Sequence, residues 1–108
     1  MFRLSYVKFL YMGVRADMSF VFVFTECPPG HLLALRQWGF HIVATVDCPG
    51  LEKVVDVKSY IRDKFAVVVG DKGLAEELRV GAVDVGEVEE FLRWLSGEGA
   101  RLFKAALQ

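Results

Sequence analysis

The stretch Ser19-Phe20-Val21-Phe22-Val23-Phe24-Thr25, closed by Glu26-Cys27-Pro28-Pro29-Gly30, decides the fold. Its apolar run is unbroken, rich in residues that suit a pleated surface, and has the length of a strand. A strand that is apolar on both faces has to be covered on both, which is the situation inside a parallel sheet. Prolines and glycine then end it by withdrawing backbone donors and allowing a turn. This is the expected central strand.

Downstream, HLLALRQWGF places Leu32, Leu35 and Trp38 at helical spacing, with Gly39 able to close a helix in the left-handed conformation. His41 to Val46 reads as a second strand, terminated by Asp47-Cys48-Pro49-Gly50. In LEKVVDVKSYIRDK, Leu51, Val54, Val55 and Ile61 suit a helical face, while VVDV alone suits a short strand; a helix is expected at least from Lys58 to Lys64. Phe65 to Val69 is a third buried strand, turned by Gly70-Asp71-Lys72-Gly73 into the short helix LAEELR, and Val80 to Val85 is a weaker fourth strand. Asp84 and Glu87 have the spacing of a capping box for EVEEFLRWL, whose Val88, Phe91, Leu92 and Leu95 share one side. After Ser96-Gly97 a helical pattern resumes through Leu102, Phe103, Ala106 and Leu107, expected to dock on its own fold or on a second copy. Strands alternating with helices imply right-handed parallel crossovers. The expected fold is therefore a three-layer α/β domain with a mostly parallel sheet of about four strands, in order 2-1-3-4, and flanking helices.

The length of 108 residues fits one core, so residues 18–108 read as a single domain. Residues 1–17 interrupt their apolar positions with Arg3, Lys8 and Arg15, unlike a signal peptide, and Met12 and Met18 are alternative starts. That segment is open between an added strand, a docking arm and a start-site artefact. An apolar share of 54% excludes a disordered chain, and 13 basic against 14 acidic residues leave no global field for nucleic acid or an anionic membrane. No apolar run is long enough to span a bilayer, so a cytoplasmic protein without a membrane partner is expected. The chain has no Asn and only Gln37 and Gln108 as amides, a bias expected of a thermophilic source. In such a source intracellular disulfides are frequent.

Ligands of open parallel sheets bind beyond the carboxyl ends of the strands. There the first strand ends in Glu26-Cys27, the second in Asp47-Cys48 and the third in Asp71-Lys72. Four readings of this edge stay open. The carboxylates can serve as caps and the cysteines as small apolar groups. A Cys27–Cys48 disulfide fits a strand spacing of about 4.8 Å. Glu26, Asp47 and Asp71 are the type of ligand that Mg²⁺ prefers. Zinc through Cys27, Cys48 and His31 is the fourth. A thiol nucleophile is disfavoured because Glu26 and Asp47 would raise the thiol pKa. His41, opening a strand, reads as structural. The loop Gly70 to Gly73 lacks the spacing of a phosphate-binding fingerprint, and Asp71 would repel an anion. Phe91, Trp94 and Phe103 read as core or a dimer seam, and Arg93, Arg101 and Lys104 as a small basic face.

From Ala34 to Leu95, ALRQWGFHIVATVD and KFAVVVGDKGLAEELRVGAVDVGEVEEFLRWL resemble the anticodon-binding domain of class II aminoacyl-tRNA synthetases. That family has a helix ending in Leu-Arg-x-x-Gly, a strand, and a strand closing in Val-Gly-acid-Lys. In place of its usual basic stretch between those strands stands DCPGLEKVVDVKSYIRD. The resemblance implies contact with RNA. FTECPPGHLLALRQWGFHIVATVDCPG is also similar to Toprim domains, with Glu26 where that family has its catalytic acid, but Gly70-Asp71-Lys72 replaces the Asp-x-Asp motif. The leading expectation is a small non-enzymatic binding or interaction module with no cofactor. Glu26, Asp47, Asp71 and Lys72 are its binding residues, RNA or protein its partner, and a homodimer through the C-terminal helices is an added expectation. The alternative is a Mg²⁺-dependent phosphoester enzyme or its degenerate relative, using Glu26, Asp47 and Asp71.

Overall fold

The computed structural model describes residues 19–97. The extension at 1–17, Phe103 and the C-terminal dimer seam lie outside the described residues. Among the described residues five strands run in one parallel sheet: β1 (Ser19–Phe24), β2 (His41–Ala44), β3 (Glu52–Lys53), β4 (Lys64–Val69) and β5 (Gly81–Val83). Their order is β3-β2-β1-β4-β5. The expected 2-1-3-4 arrangement is present, with β3 as an unexpected fifth strand on the β2 side.

Alternation along β1 builds the three layers. Phe20, Phe22 and Phe24 point to one face and Val21 and Val23 to the other, and all five are buried. The phenylalanine face is covered by a 3₁₀ helix, η1 (Gly30–Trp38), and by the eleven-residue helix α3 (Val85–Leu95). The valine face is covered by α1 (Val57–Tyr60) and α2 (Lys72–Leu78). On the first face the rings interlock: Phe40 lies edge-on to Phe20, Phe22 and Phe91 at centroid distances of 5.1, 5.5 and 5.6 Å. Tilted and edge-on pairs of this kind add to the area they bury.

Two elements differ from the sequence expectation. The first helix is a 3₁₀ helix of nine residues, an uncommon length for a helix with weaker hydrogen-bond geometry. Its apolar residues explain this: Leu32, Leu35 and Trp38 recur at strict intervals of three, which eclipse on a helix with three residues per turn. A 3₁₀ helix also rises about 2.0 Å per residue, so nine residues cover about 18 Å where an α-helix covers about 13.5 Å. That extra reach carries a short crossover back along the sheet. Gly39, at φ 89°, ends it in the left-handed conformation.

The second difference lies between Leu51 and Lys64. A strand forms at Glu52–Lys53, not at VVDV, and the following helix runs Val57–Tyr60 instead of Lys58 to Lys64. The Val54 amide donates to the Ala44 carbonyl at 2.8 Å, extending the pairing of β3 with β2. A two-residue strand needs little return travel, which is why seven residues without a helix suffice for a parallel connection that ordinarily takes about a dozen. Asp56 starts α1: its carboxylate accepts from the Ser59 hydroxyl at 2.8 Å and the Ser59 amide at 3.2 Å. These bonds hold its pKa below the ordinary carboxylate value.

The two later α-helices, α2 and α3, also begin at an aspartate. Asp71 accepts from the Leu74 amide at 3.0 Å, and Asp84 and Glu87 form the expected capping box. Helix α2 ends at Arg79, whose φ of 58° is left-handed without being glycine. Arg79→Gly is expected to stabilise the protein by about 0.5–1 kcal/mol, read as a higher urea midpoint at unchanged m-value.

Candidate functional site

The carboxyl ends of β1, β2 and β4 adjoin, so Glu26, Asp47, Asp71 and the two cysteines do reach one edge of the sheet. The strand order reverses between β1 and β4, the position where such sheets ordinarily open a crevice. Here that position is filled. The Thr25 hydroxyl donates to the Val69 carbonyl at 3.0 Å. Gly70 lies so close that a Cβ on it would stand 2.9 Å from Thr25 Oγ1, and its φ is +96°. Gly70→Ala meets both the contact and the left-handed backbone, and a loss of about 2 kcal/mol in chemical denaturation is expected.

On one side of this closed point stands the disulfide. Cys27 and Cys48 are joined, with a Cα separation of 5.4 Å, linking the loops that follow β1 and β2. The adjacency of these strands brings the two residues into bonding range. Bonded cysteines supply neither a thiolate nucleophile nor zinc ligands. His31 turns elsewhere, with its Nε2 3.4 Å from Oε1 of Glu89 on α3. Asp47 Oδ2 lies 3.5 Å from Lys53 Nζ on β3. The Asp47–Lys53 pair is exposed, and exposed pairs of this type contribute little to stability.

On the other side, above β4 and β5, an open cleft of about 320 Å³ is lined by Gly70, Asp71, Lys72, Ala82, Val83, Asp84 and Glu87. It sits where α2 and α3 begin. Asp71 and Lys72, two of the four expected binding residues, line it; Glu26 and Asp47 do not. The sequence had marked Asp84 and Glu87 as a capping box, which they form. Their place beside Asp71 follows from the pairing of β5 with β4, in which Val69 stands opposite Val83.

The Mg²⁺ alternative requires convergence of Glu26, Asp47 and Asp71. Among the described residues no group of three or more His, Cys, Asp or Glu side chains is placed to hold a metal ion. Sharing an edge is insufficient when Asp71 is committed to a helix cap and Asp47 leans towards Lys53. The residues present do not fit the ion.

Compared with protein-family models, curated proteins and solved structures, the chain matches none. Among the described residues no helix is long and apolar enough to cross a membrane.

Proposed function

We propose that this chain is a small, non-enzymatic α/β binding or interaction module that works in the cytoplasm. The observation that carries this reading is the employment of the reactive groups at the carboxyl edge. The two thiols form a bridge, while Asp71, Asp84 and Glu87 hold helix starts. Groups used in this way stiffen a surface for contact. RNA is the partner class favoured by the resemblance to anticodon-binding domains. The cleft itself argues against phosphate binding there, because three carboxylates accompany a single lysine. An RNA-contacting face would therefore lie away from the cleft.

Fluorescence anisotropy with a labelled anticodon stem-loop RNA tests the partner. Binding that weakens steeply as salt rises is expected of RNA contact. A flat titration removes RNA and leaves a protein partner. The non-enzymatic part is tested with an activated phosphodiester and Mn²⁺ or Mg²⁺: no turnover above blank is expected, whereas turnover abolished by Glu26→Gln overturns the proposal.

A further inference from the structure

The sheet is unevenly held. To one side of the β2–β1 boundary, β1 and β4 pair over six residues, and α3 seals them with Val88, Phe91 and Leu95 buried. To the other side lie a four-residue strand, a two-residue strand whose sheet neighbour is β2, and a nine-residue 3₁₀ helix. The disulfide clasps that second half, joining residues 21 apart in sequence and enclosing both η1 and β2. The Arg36 guanidinium adds a tether by donating to the Gly50 carbonyl at 2.8 Å, but that bond is exposed. Cys27 is itself exposed and Cys48 half-buried, so a reductant can reach the bridge.

We propose that the Cys27–Cys48 disulfide is a redox clasp, whose reduction loosens residues 27–53 while β1, β4, β5, α2 and α3 stay folded. Regions differ in local stability according to how they are held, and the enclosed half, although it buries Leu32, Leu35 and Phe40 in the shared core, has the shorter pairings: four residues of β2 on β1 and two of β3 on β2. The reductant is a dithiol. One of its thiolates attacks Cys27 Sγ, the S–S bond breaks, and the electron pair leaves on Cys48 Sγ, which takes a proton from water. The second thiol, as thiolate, attacks the mixed disulfide and releases Cys27, which is protonated in turn. Two electrons and two protons pass to the protein, and the dithiol becomes a disulfide.

Hydrogen exchange of the full chain read by mass spectrometry, with and without excess dithiothreitol, tests this, with iodoacetamide labelling to count freed thiols. On reduction, the exchange rates of peptides within 27–53 are expected to rise at least roughly ten-fold more than those of peptides covering β4 and α3, which rise only with the loss of global stability. Cys27→Ser with Cys48→Ser is expected to reproduce this pattern without reductant. Acceleration spread evenly over the chain, no acceleration after the thiols are freed, a bridge that resists the dithiol, or a double variant lacking the pattern would each overturn the clasp.

Discussion

Phe91→Ala is expected to cost about 3–5 kcal/mol. Phe91 is 1% exposed and stands where α3 meets the aromatic face of the sheet. Its ring lies 6.1 Å from Phe22 on β1, 5.6 Å from Phe40 beside β2, and 6.0 Å, stacked, from Trp94 on its own helix. Truncation removes contacts to three elements at once and leaves a cavity that a sheet on one side and a helix on the other cannot close. Phe91→Leu retains most of the volume and is expected to cost roughly half as much or less. Urea denaturation of both variants checks the pair. Equal losses would mean that the site responds to ring chemistry and not to volume, contrary to the packing account.

The second large effect concerns the bridge. Replacing Cys27 and Cys48 together by serine is expected to lower stability by about 3 kcal/mol, from the entropy regained by an unfolded loop of this length. The thermal midpoint should fall by roughly 12–24 °C for a domain of this size. Scanning calorimetry of the oxidised protein and the double variant measures it. A shift of only a degree or two would show that the native loops hold the cysteines together without the bond and gain nothing from it. The effect is distinct from the local loosening proposed for the reduced state: calorimetry reads global unfolding, whereas exchange reads which segment opens first.

Much of this architecture is legible in the sequence because each long strand is an apolar run bounded by turn residues. SFVFVF and KFAVVV are the paired centre of the sheet, and the expected neighbours fall on either side. The capping box is equally legible, since Asp84 and Glu87 act locally through a spacing of three. Glu52–Lys53 is not legible as a strand. Both residues are exposed, so nothing in their side chains records the backbone pairing that β2 imposes. Leu32, Leu35 and Trp38 announce a helix, but its 3₁₀ form depends on the strict interval of three and on the distance the crossover covers. At the carboxyl edge, spacing and topology correctly bring Cys27 to Cys48. The same reasoning brings Glu26, Asp47 and Asp71 to one edge without making them converge. Convergence depends on where each carboxylate finds its nearest donor, and Asp71 finds the Leu74 amide. The cleft beside it is a product of β5 pairing with β4, a relation between segments that neither segment records alone.

What the carboxyl edge is built to do is tested in one measurement by a crystal structure grown with Mn²⁺ under non-reducing conditions. The predicted result is continuous density between Cys27 and Cys48, with Asp71 capping α2 and no manganese peak in anomalous maps at Glu26, Asp47 and Asp71. Manganese held by those three carboxylates would contradict it and would return the edge to metal-dependent chemistry.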